Sequence, residues 1–181
     1  MMVSSAAWGA DLLIDDFGGE PGVSALGTRW QGFTDRVMGG RSDMQAGRVE
    51  HPDGPALQMR GEVRLDNNGG FIQLRLPLDA AGKTLDAARF SGVLLTLRGA
   101  PGAYFLHLRT PDCRRPWQYY RAALDVTQDW REVFVPFDAF EGVSIRGVPD
   151  LARLRSLALV AYGEVFTADL EVRRIAFVAA E

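Results

Sequence analysis

The chain has 181 residues, and its 20 lysines and arginines against 23 aspartates and glutamates give a formal net charge of -3. This length fits one domain, which we place over residues 1–181. A chain of this size can bury a core without disulfides or metals. The balanced charge excludes the basic excess typical of nucleic-acid binding, so no nucleic-acid partner is expected. No window approaches the roughly 20 apolar residues of a membrane-spanning helix.

Cysteine content and the N-terminal residues bear on the compartment. Cys113 is the single cysteine, which rules out an intrachain disulfide and favours a reducing environment. The N-terminus has neither a positively charged start nor a long apolar run, so no signal peptide is predicted. From both features we expect a cytoplasmic protein.

Apolar residues alternate with polar ones along most of the chain, which predicts half-buried antiparallel strands. In chain order the sets are Leu57, Met59, Val63 and Leu65; Ile72, Leu74, Leu76 and Leu78; Val93, Leu95 and Leu97; Tyr104, Leu106 and Leu108; Tyr120, Ala122 and Leu124; Val133, Val135 and Phe137; and the runs 157–161 and 170–177. Turn residues rich in Gly, Pro, Asn and Asp separate the sets. This spacing of short strands predicts an all-β antiparallel sandwich or barrel.

The last predicted strand changes phase within its length. Leu170 and Val172 share one parity, while Ile175 and Phe177 share the other, which indicates a β-bulge between them. Two short helical turns are also predicted, over residues 84–90 and 149–155, the second with a proline near its start.

Two loops, residues 30–42 and 66–71, each combine polar residues with a glycine pair. Asp35 is expected either to bond loop amides or to contact a ligand or partner. The same alternatives hold for the other polar candidates, which are Arg36, Ser42, Asn67 and Asn68. A structural role, with the loop set against the core, is predicted for Trp30, Val37, Met38, Gly39, Gly40, Gly69, Gly70 and Phe71.

A catalytic site is poorly supported by the available residue types. His51 adjoins a turn and is predicted to be an exposed loop residue, and no serine lies in a nucleophile elbow. Cys113 stands beside arginines, yet a loop thiol without catalytic importance is the preferred interpretation. No metal and no cofactor are predicted, although Asp15-Asp16 and Asp169 leave open a calcium ion where the chain termini meet.

Aromatic rings and arginines cluster more suggestively. Phe105, His107 and Arg109 share one strand face, and the next predicted strand repeats the period with Trp117, Tyr119 and Arg121. Such a face suits sugar stacking or a protein hot spot. The alternative is an ordinary second core face, although the arginines would then need buried partners.

The segment from Trp30 to Ser42, centred on Asp35-Arg36-Val37-Met38-Gly39-Gly40, resembles the signature of the complex I intermediate-associated protein 30 (CIA30) family. Further blocks resemble that family in the same order: 61–71, 90–99, 104–109 and 130–140. The resemblance covers roughly residues 16–178. The chain departs from the family at Gly99-Ala100-Pro101-Gly102, where members often have Gly-Asp-Gly.

The resemblance implies a jelly-roll β-sandwich of the galactose-binding-like kind and a non-catalytic role. Eukaryotic members are mitochondrial assembly factors for respiratory NADH:ubiquinone oxidoreductase. The first hypothesis is therefore a non-enzymatic domain that binds a protein partner, with a complex I subunit or intermediate as the expected one. The second is a carbohydrate-binding module that uses the aromatic and arginine face. The third, least favoured, is an enzyme that uses Asp35 and Arg36 with His107.

Overall fold

The computed structural model describes residues 11–179, which form mainly antiparallel strands joined by short turns. The prediction about a signal peptide concerns residues outside this range. In chain order the strands are β1 (Leu12–Asp15), β2 (Gln31–Thr34), β3 (Gln45–His51), β4 (Gly54–Val63), β5 (Phe71–Pro77), β6 (Gly92–Gly99), β7 (Tyr104–Arg109), β8 (Tyr119–Leu124), β9 (Arg131–Pro136), β10 (Glu141–Val143), β11 (Ser156–Tyr162) and β12 (Phe166–Val178).

The strands form two six-stranded sheets. The first sheet has the order β3-β4-β12-β6-β9, with β1 paired to the far half of β12. The second sheet has the order β10-β8-β7-β11-β5-β2, and its neighbours pair antiparallel. The prediction of an antiparallel β-sandwich is thus confirmed.

The core lies between the inner faces of the two sheets, where the alternating apolar sets meet. In the second sheet, for example, the inward residues Tyr104, Leu106 and Leu108 of β7 are buried in this core, as are Ile72, Leu74 and Leu76 of β5. Strand β11 differs because every residue from Ser156 to Ala161 is buried. Long side chains of its neighbours cover its outer side, and this arrangement shapes a surface described below.

The predicted bulge in the last strand is confirmed. The register of β12 against β6 shifts between Val172 and Arg174. The extra residue returns the following side chains to the inner face, so Leu170, Val172, Ile175 and Phe177 are all buried in the core.

The prediction of a helical turn over residues 84–90 is wrong. The Leu85 amide donates to the Leu154 carbonyl (2.8 Å), and the Leu154 amide donates back to Leu85 (3.0 Å). The Ala87 amide donates to Leu151 in the same way (2.7 Å). These long-range bonds use the donors that a helix would need. The second predicted turn is present as a short 3-10 helix, Leu151–Arg153, where the Asp150 carboxylate caps the Ala152 amide.

Two further residues lie elsewhere than expected. His51 is not an exposed loop residue: it ends β3, its Nε2 lies 3.0 Å from Oε2 of Glu171, and its ring meets Trp130 edge-on. Leu65 lies beyond the end of β4 and is exposed rather than part of the core. Over residues 11–179, no helix is both long enough and apolar enough to span a bilayer.

Candidate functional site

A buried carboxylate joins the two glycine loops. Asp35, which has no exposed surface, accepts hydrogen bonds from the Ser42 amide (2.9 Å) and hydroxyl and from the Gly70 amide (2.6 Å). Its own carbonyl accepts from the Gly40 amide (2.9 Å). The carboxylate is therefore satisfied by donors from both loops and acts as a structural clamp.

Each glycine pair serves this clamp in two ways. Gly40 and Gly69 lie against Asp35, and a Cβ on either would come within 2.4 Å of its carboxyl group. Gly39 (φ 84°) and Gly70 (φ 134°) have backbone conformations that other residues rarely adopt. In each pair, one glycine therefore leaves space for the Asp35 carboxyl group, and the other adopts the backbone conformation that the turn requires.

The other polar loop residues surround this clamp. Ser42 is buried, and its hydroxyl also accepts from the Arg64 amide (2.9 Å). Arg36 is mostly exposed; its Nε donates to the Ser42 carbonyl (3.0 Å) and its guanidinium pairs with Asp43. Asn67 donates from Nδ2 to the Gly39 carbonyl (3.0 Å), which links the loops a second time, and Asn68 ends the 3-10 turn Asp66–Asn68.

Val37 and Met38 do not set the loop against the core, which corrects the prediction made for them. Their side chains are 72% and 63% exposed at the tip of the 3-10 turn Asp35–Met38. Trp30 instead anchors the segment, since its Nε1 donates to the buried carboxylate of Asp15 (2.9 Å). Phe71, at the start of β5, pairs with Tyr162 across the second sheet.

A second surface is the outer face of the second sheet, opposite the core. The strand registers place one row of residues straight across all six strands: Gln31, Arg75, Ala158, His107, Arg121 and Glu141. Small Ala158 lies between His107 and Arg75, so the long side chains on either side fold over the centre of the sheet. We call this surface the outer face below.

Aromatic rings flank this row. The Tyr119 ring stacks on His107 with centroids 4.0 Å apart and an angle of 12° between the planes. Phe105 packs edge-on against Tyr162 (6.3 Å), and the Arg121 guanidinium lies 5.3 Å from the centroid of the Phe105 ring. The face thus combines rings with guanidinium groups that are only half-buried.

Positive charge dominates the middle of the outer face. Among residues 11–179, no ion pair involves Arg75, Arg109 or Arg121. Arg109 instead donates to the carbonyls of Cys113 (3.2 Å) and Arg115 (3.1 Å). Burial, followed by the charge of Arg109, lowers the pKa of Arg75.

His107 lies under this layer with 8% of its surface exposed, and its Nε2 has no hydrogen-bond partner within the described chain. Burial lowers the pKa of His107 to about 3, with smaller contributions from the charges of Arg121, Arg75 and Arg109. The ring is therefore neutral at physiological pH.

The structure brings together His107, Arg109, Tyr119 and Arg121, but it places Trp117 differently. Trp117 lies in the turn before β8 and is 60% exposed. Arg75, Phe33 and Tyr162 also belong to this surface, although the sequence analysis missed them. Their polar or aromatic positions alternate with core residues, but only the order of the strands shows that they lie in the same sheet as β7 and on the same face.

Two sites considered from the sequence, a catalytic site of Asp35 with His107 and a calcium site, are not formed by the described residues. Asp35 is enclosed beyond the end of β2, whereas His107 lies in the middle of β7, with β5 and β11 between them. For calcium, Asp15 is held by Trp30 and the Phe17 amide, while Asp169 bonds Gln58 and faces Arg60. Among residues 11–179, no cluster of three or more metal-ligating side chains is present.

A cleft of about 340 Å³ lies beside β2 and β3, lined by residues that include Asp15, Trp30, Met44 and Arg48. Two of its polar side chains are already engaged. Arg48 pairs with Glu50 and donates to the Gly19 carbonyl, and Asp15 accepts from Trp30.

The β-sandwich fold is also found in solved structures of other proteins. It is similar to the family 11 carbohydrate-binding module of the cellulosomal cellulase Lic26A-Cel5E of Clostridium thermocellum, with a TM-score of 0.74, 14% identity, and coverage of 94% of this chain and 95% of that one. It is also similar to the family 30 module of cellulase Cel9D-Cel44B from the same organism (TM-score 0.67, 14% identity, 95% and 99% covered). The chain thus shares the β-sandwich fold of these modules.

Its sequence gives the family. The family model of complex I intermediate-associated protein 30 (CIA30) matches residues 21–161, and the chain belongs to that family. The matched range includes the segment 30–42 and lies inside residues 16–178, the range expected from the resemblance. No curated protein matches this chain.

The clamp predicts a large loss of stability for Asp35→Asn. An amide in place of the carboxylate removes one acceptor and places an NH₂ group against the Ser42 or Gly70 donors. We expect the free energy of unfolding to fall by about 2–3 kcal/mol. Asp43→Asn, which removes an exposed partner of Arg36, should cost less than about 1 kcal/mol. Urea denaturation of both variants measures the difference, and equal losses would contradict the clamp.

Burial of neutral His107 predicts a pH dependence of stability. The folded-state pKa of about 3 lies below the ordinary 6.5. The unfolded chain therefore binds the proton more readily between these values, and stability is lost as pH falls below about 6.5. From pH 7.5 to 5.5 this should remove about 1.4 kcal/mol.

The matched variant is His107→Phe, which keeps a ring against Tyr119 but does not titrate. Denaturant unfolding at both pH values should show a smaller loss for this variant than for the wild type. Other titrating groups contribute equally to both proteins, so identical pH slopes would show that His107 is already accessible to protons.

Proposed function

We propose that this chain is a non-catalytic binding domain that engages a protein partner through its signature loop, residues 34–42. The main observation behind the proposal is that Val37 and Met38 are exposed at the tip of a loop whose base is held by the hydrogen bonds of Asp35. Exposed apolar residues of this size on an ordered loop are typical of contact sites rather than of solvent-facing turns.

The clamp makes the loop suited to binding. Asp35, Ser42 and Gly70 hold the base in one conformation, so little conformational entropy remains to be lost when a partner docks. Exposed Leu65 lies near Gly70, at the same end of the sandwich. An apolar tip of this kind fits a partner surface that has a small hydrophobic pocket.

Membership of the CIA30 family supports a respiratory partner, namely a subunit or assembly intermediate of complex I. A non-catalytic role is supported by the separation of Asp35 from His107 and by the complete engagement of the Asp35 carboxylate within the loops. We place the protein in the cytoplasm, as the cysteine content suggests.

The decisive experiment is complementation of a deletion strain of the native organism. NADH:ubiquinone oxidoreductase activity of its membranes should fall on deletion and return with the wild-type chain. The double variant Val37→Ser, Met38→Ser should restore it at least about threefold less well, because the loss of apolar contact weakens docking.

A matched control is Val148→Ser, Val165→Ser, which changes two equally exposed apolar residues elsewhere. This control should complement fully, with both variants showing the wild-type melting temperature. Unchanged complex I activity on deletion would reject the assembly role. Full complementation by the loop variant would reject the loop as the contact.

A second candidate function is carbohydrate binding by the outer face. It is favoured by the rings of Phe105, Tyr119 and Tyr162 on that face, since aromatic surfaces can stack against sugar rings. One similar module, matched with a TM-score of 0.71 and 14% identity over 94% of this chain, is in complex with a β-1,3-1,4-mixed-linked tetrasaccharide.

Tyr119→Ala should therefore weaken saccharide binding about tenfold or more, as titration calorimetry with a panel of oligosaccharides would measure. Trp130→Ala is the control, because the Trp130 ring packs against Arg98 and Arg173 of the other sheet. A panel without any binder, or equal affinities for both variants, would reject this candidate.

A further inference from the structure

Three arginines converge on the centre of the outer face, and none of them has an acidic partner among residues 11–179. Arg75 and Arg121 lie in the same row as His107, and Arg109 is the next outward residue along β7. The one carboxylate of that row, Glu141, is exposed at the sheet edge and makes no ion pair with Arg121 in the described chain. The centre of the face therefore carries an uncompensated positive charge.

On the first sheet, by contrast, two outward-facing arginines have acidic partners. Arg98 pairs with Glu171 (2.9 Å), and Arg60 faces Asp169 (3.7 Å). Half-buried arginines lose hydration and repel one another unless anions or water compensate them; burial first, and the charge of Arg109 second, lower the pKa of Arg75. Retaining three of them together without a carboxylate is unfavourable for folding alone, which points to a ligand that supplies the negative charge.

His107 adds a second, independent observation. Its side chain is more than nine-tenths buried among these arginines, yet its Nε2 is unpaired within residues 11–179. Unpaired buried polar atoms are rare in native proteins and commonly mark a place that water, an ion or a ligand completes. A neutral imidazole nitrogen can bond a sugar hydroxyl, while the guanidinium groups around it can bond an anion.

We propose that the outer face binds saccharides that carry an anionic group, a uronate carboxylate or a sulfate, held by Arg75, Arg109 and Arg121. Guanidinium groups form paired, charge-assisted hydrogen bonds with planar or tetrahedral oxyanions. Tyr119 and Phe105 supply the rings against which the sugar rests. This inference rests on the second candidate function and adds the charge of the ligand to it.

The test compares three tetrasaccharides by titration calorimetry with the intact chain. They are a galacturonate oligomer, a sulfated galactan oligomer and a neutral β-1,3-1,4-linked glucan. At low salt, at least one anionic oligomer should bind about tenfold or more tightly than the neutral one. That advantage should shrink as sodium chloride rises, because salt screens the guanidinium charges. The stronger of the two anionic oligomers identifies the anion.

Arg121→Gln is the matched variant, and Arg60→Gln on the first sheet is its control. Arg121→Gln should reduce affinity for the anionic oligomer about tenfold, with less than a twofold change for the neutral one, while Arg60→Gln changes neither. Melting temperatures of both variants verify that they fold.

The outcomes separate the two ideas. Neutral binding equal to or tighter than anionic binding would overturn the inference and leave carbohydrate binding in place. An anionic advantage that survives in Arg121→Gln at every salt concentration would also overturn it. Absence of binding by all three oligomers would reject the inference together with the carbohydrate candidate, while the proposal of a protein partner would stand on its own test.

Discussion

The carboxylate of Asp35 is the contact on which one end of the sandwich depends. Asp35 directly follows β2. Its carboxylate accepts hydrogen bonds from the amide of Ser42, shortly before β3, and from the amide of Gly70, just before β5. Since β2 and β5 belong to the second sheet and β3 to the first, one side chain holds both sheets together where their loops meet. No cation is needed, because three donors satisfy the carboxylate within the protein.

This arrangement separates two surfaces that the sequence suggested together. The signature loop is rigid at its base and apolar at its tip, whereas the outer face is cationic and aromatic in the middle of a sheet. Val37 and Met38 lie past the end of the edge strand β2, whereas His107 lies on β7, with β5 and β11 between the two strands. One domain of this fold can therefore carry a protein contact and a small-ligand contact independently.

The strands and the bulge could be predicted because they follow from local, periodic patterns in the sequence. Alternation identified most strands, and the phase change located the bulge in β12. The sequence does not predict contacts between distant segments. Leu85 bonds Leu154, which removes the expected helix, and His51 at the end of β3 reaches Glu171 on β12, with β4 between the two strands. Burial of Val37 and Met38 was inferred from residue type alone, but the short turn directs them outward. Arg75 and Tyr162 could not be assigned without knowing that β11 separates β7 from β5.

The position of β12 has a consequence for how the protein forms. This strand, last in the chain among those described, lies between β4 and β6 and also holds β1. The first sheet therefore cannot assemble during synthesis until β12 has left the ribosome. Pairing of β1 with β12 also closes a loop of most of the domain, and such long-range contacts raise the contact order, which correlates with slower folding. Until that closure the edges of β4 and β6 stay open to mispairing, and the nascent chain is a natural client for chaperones.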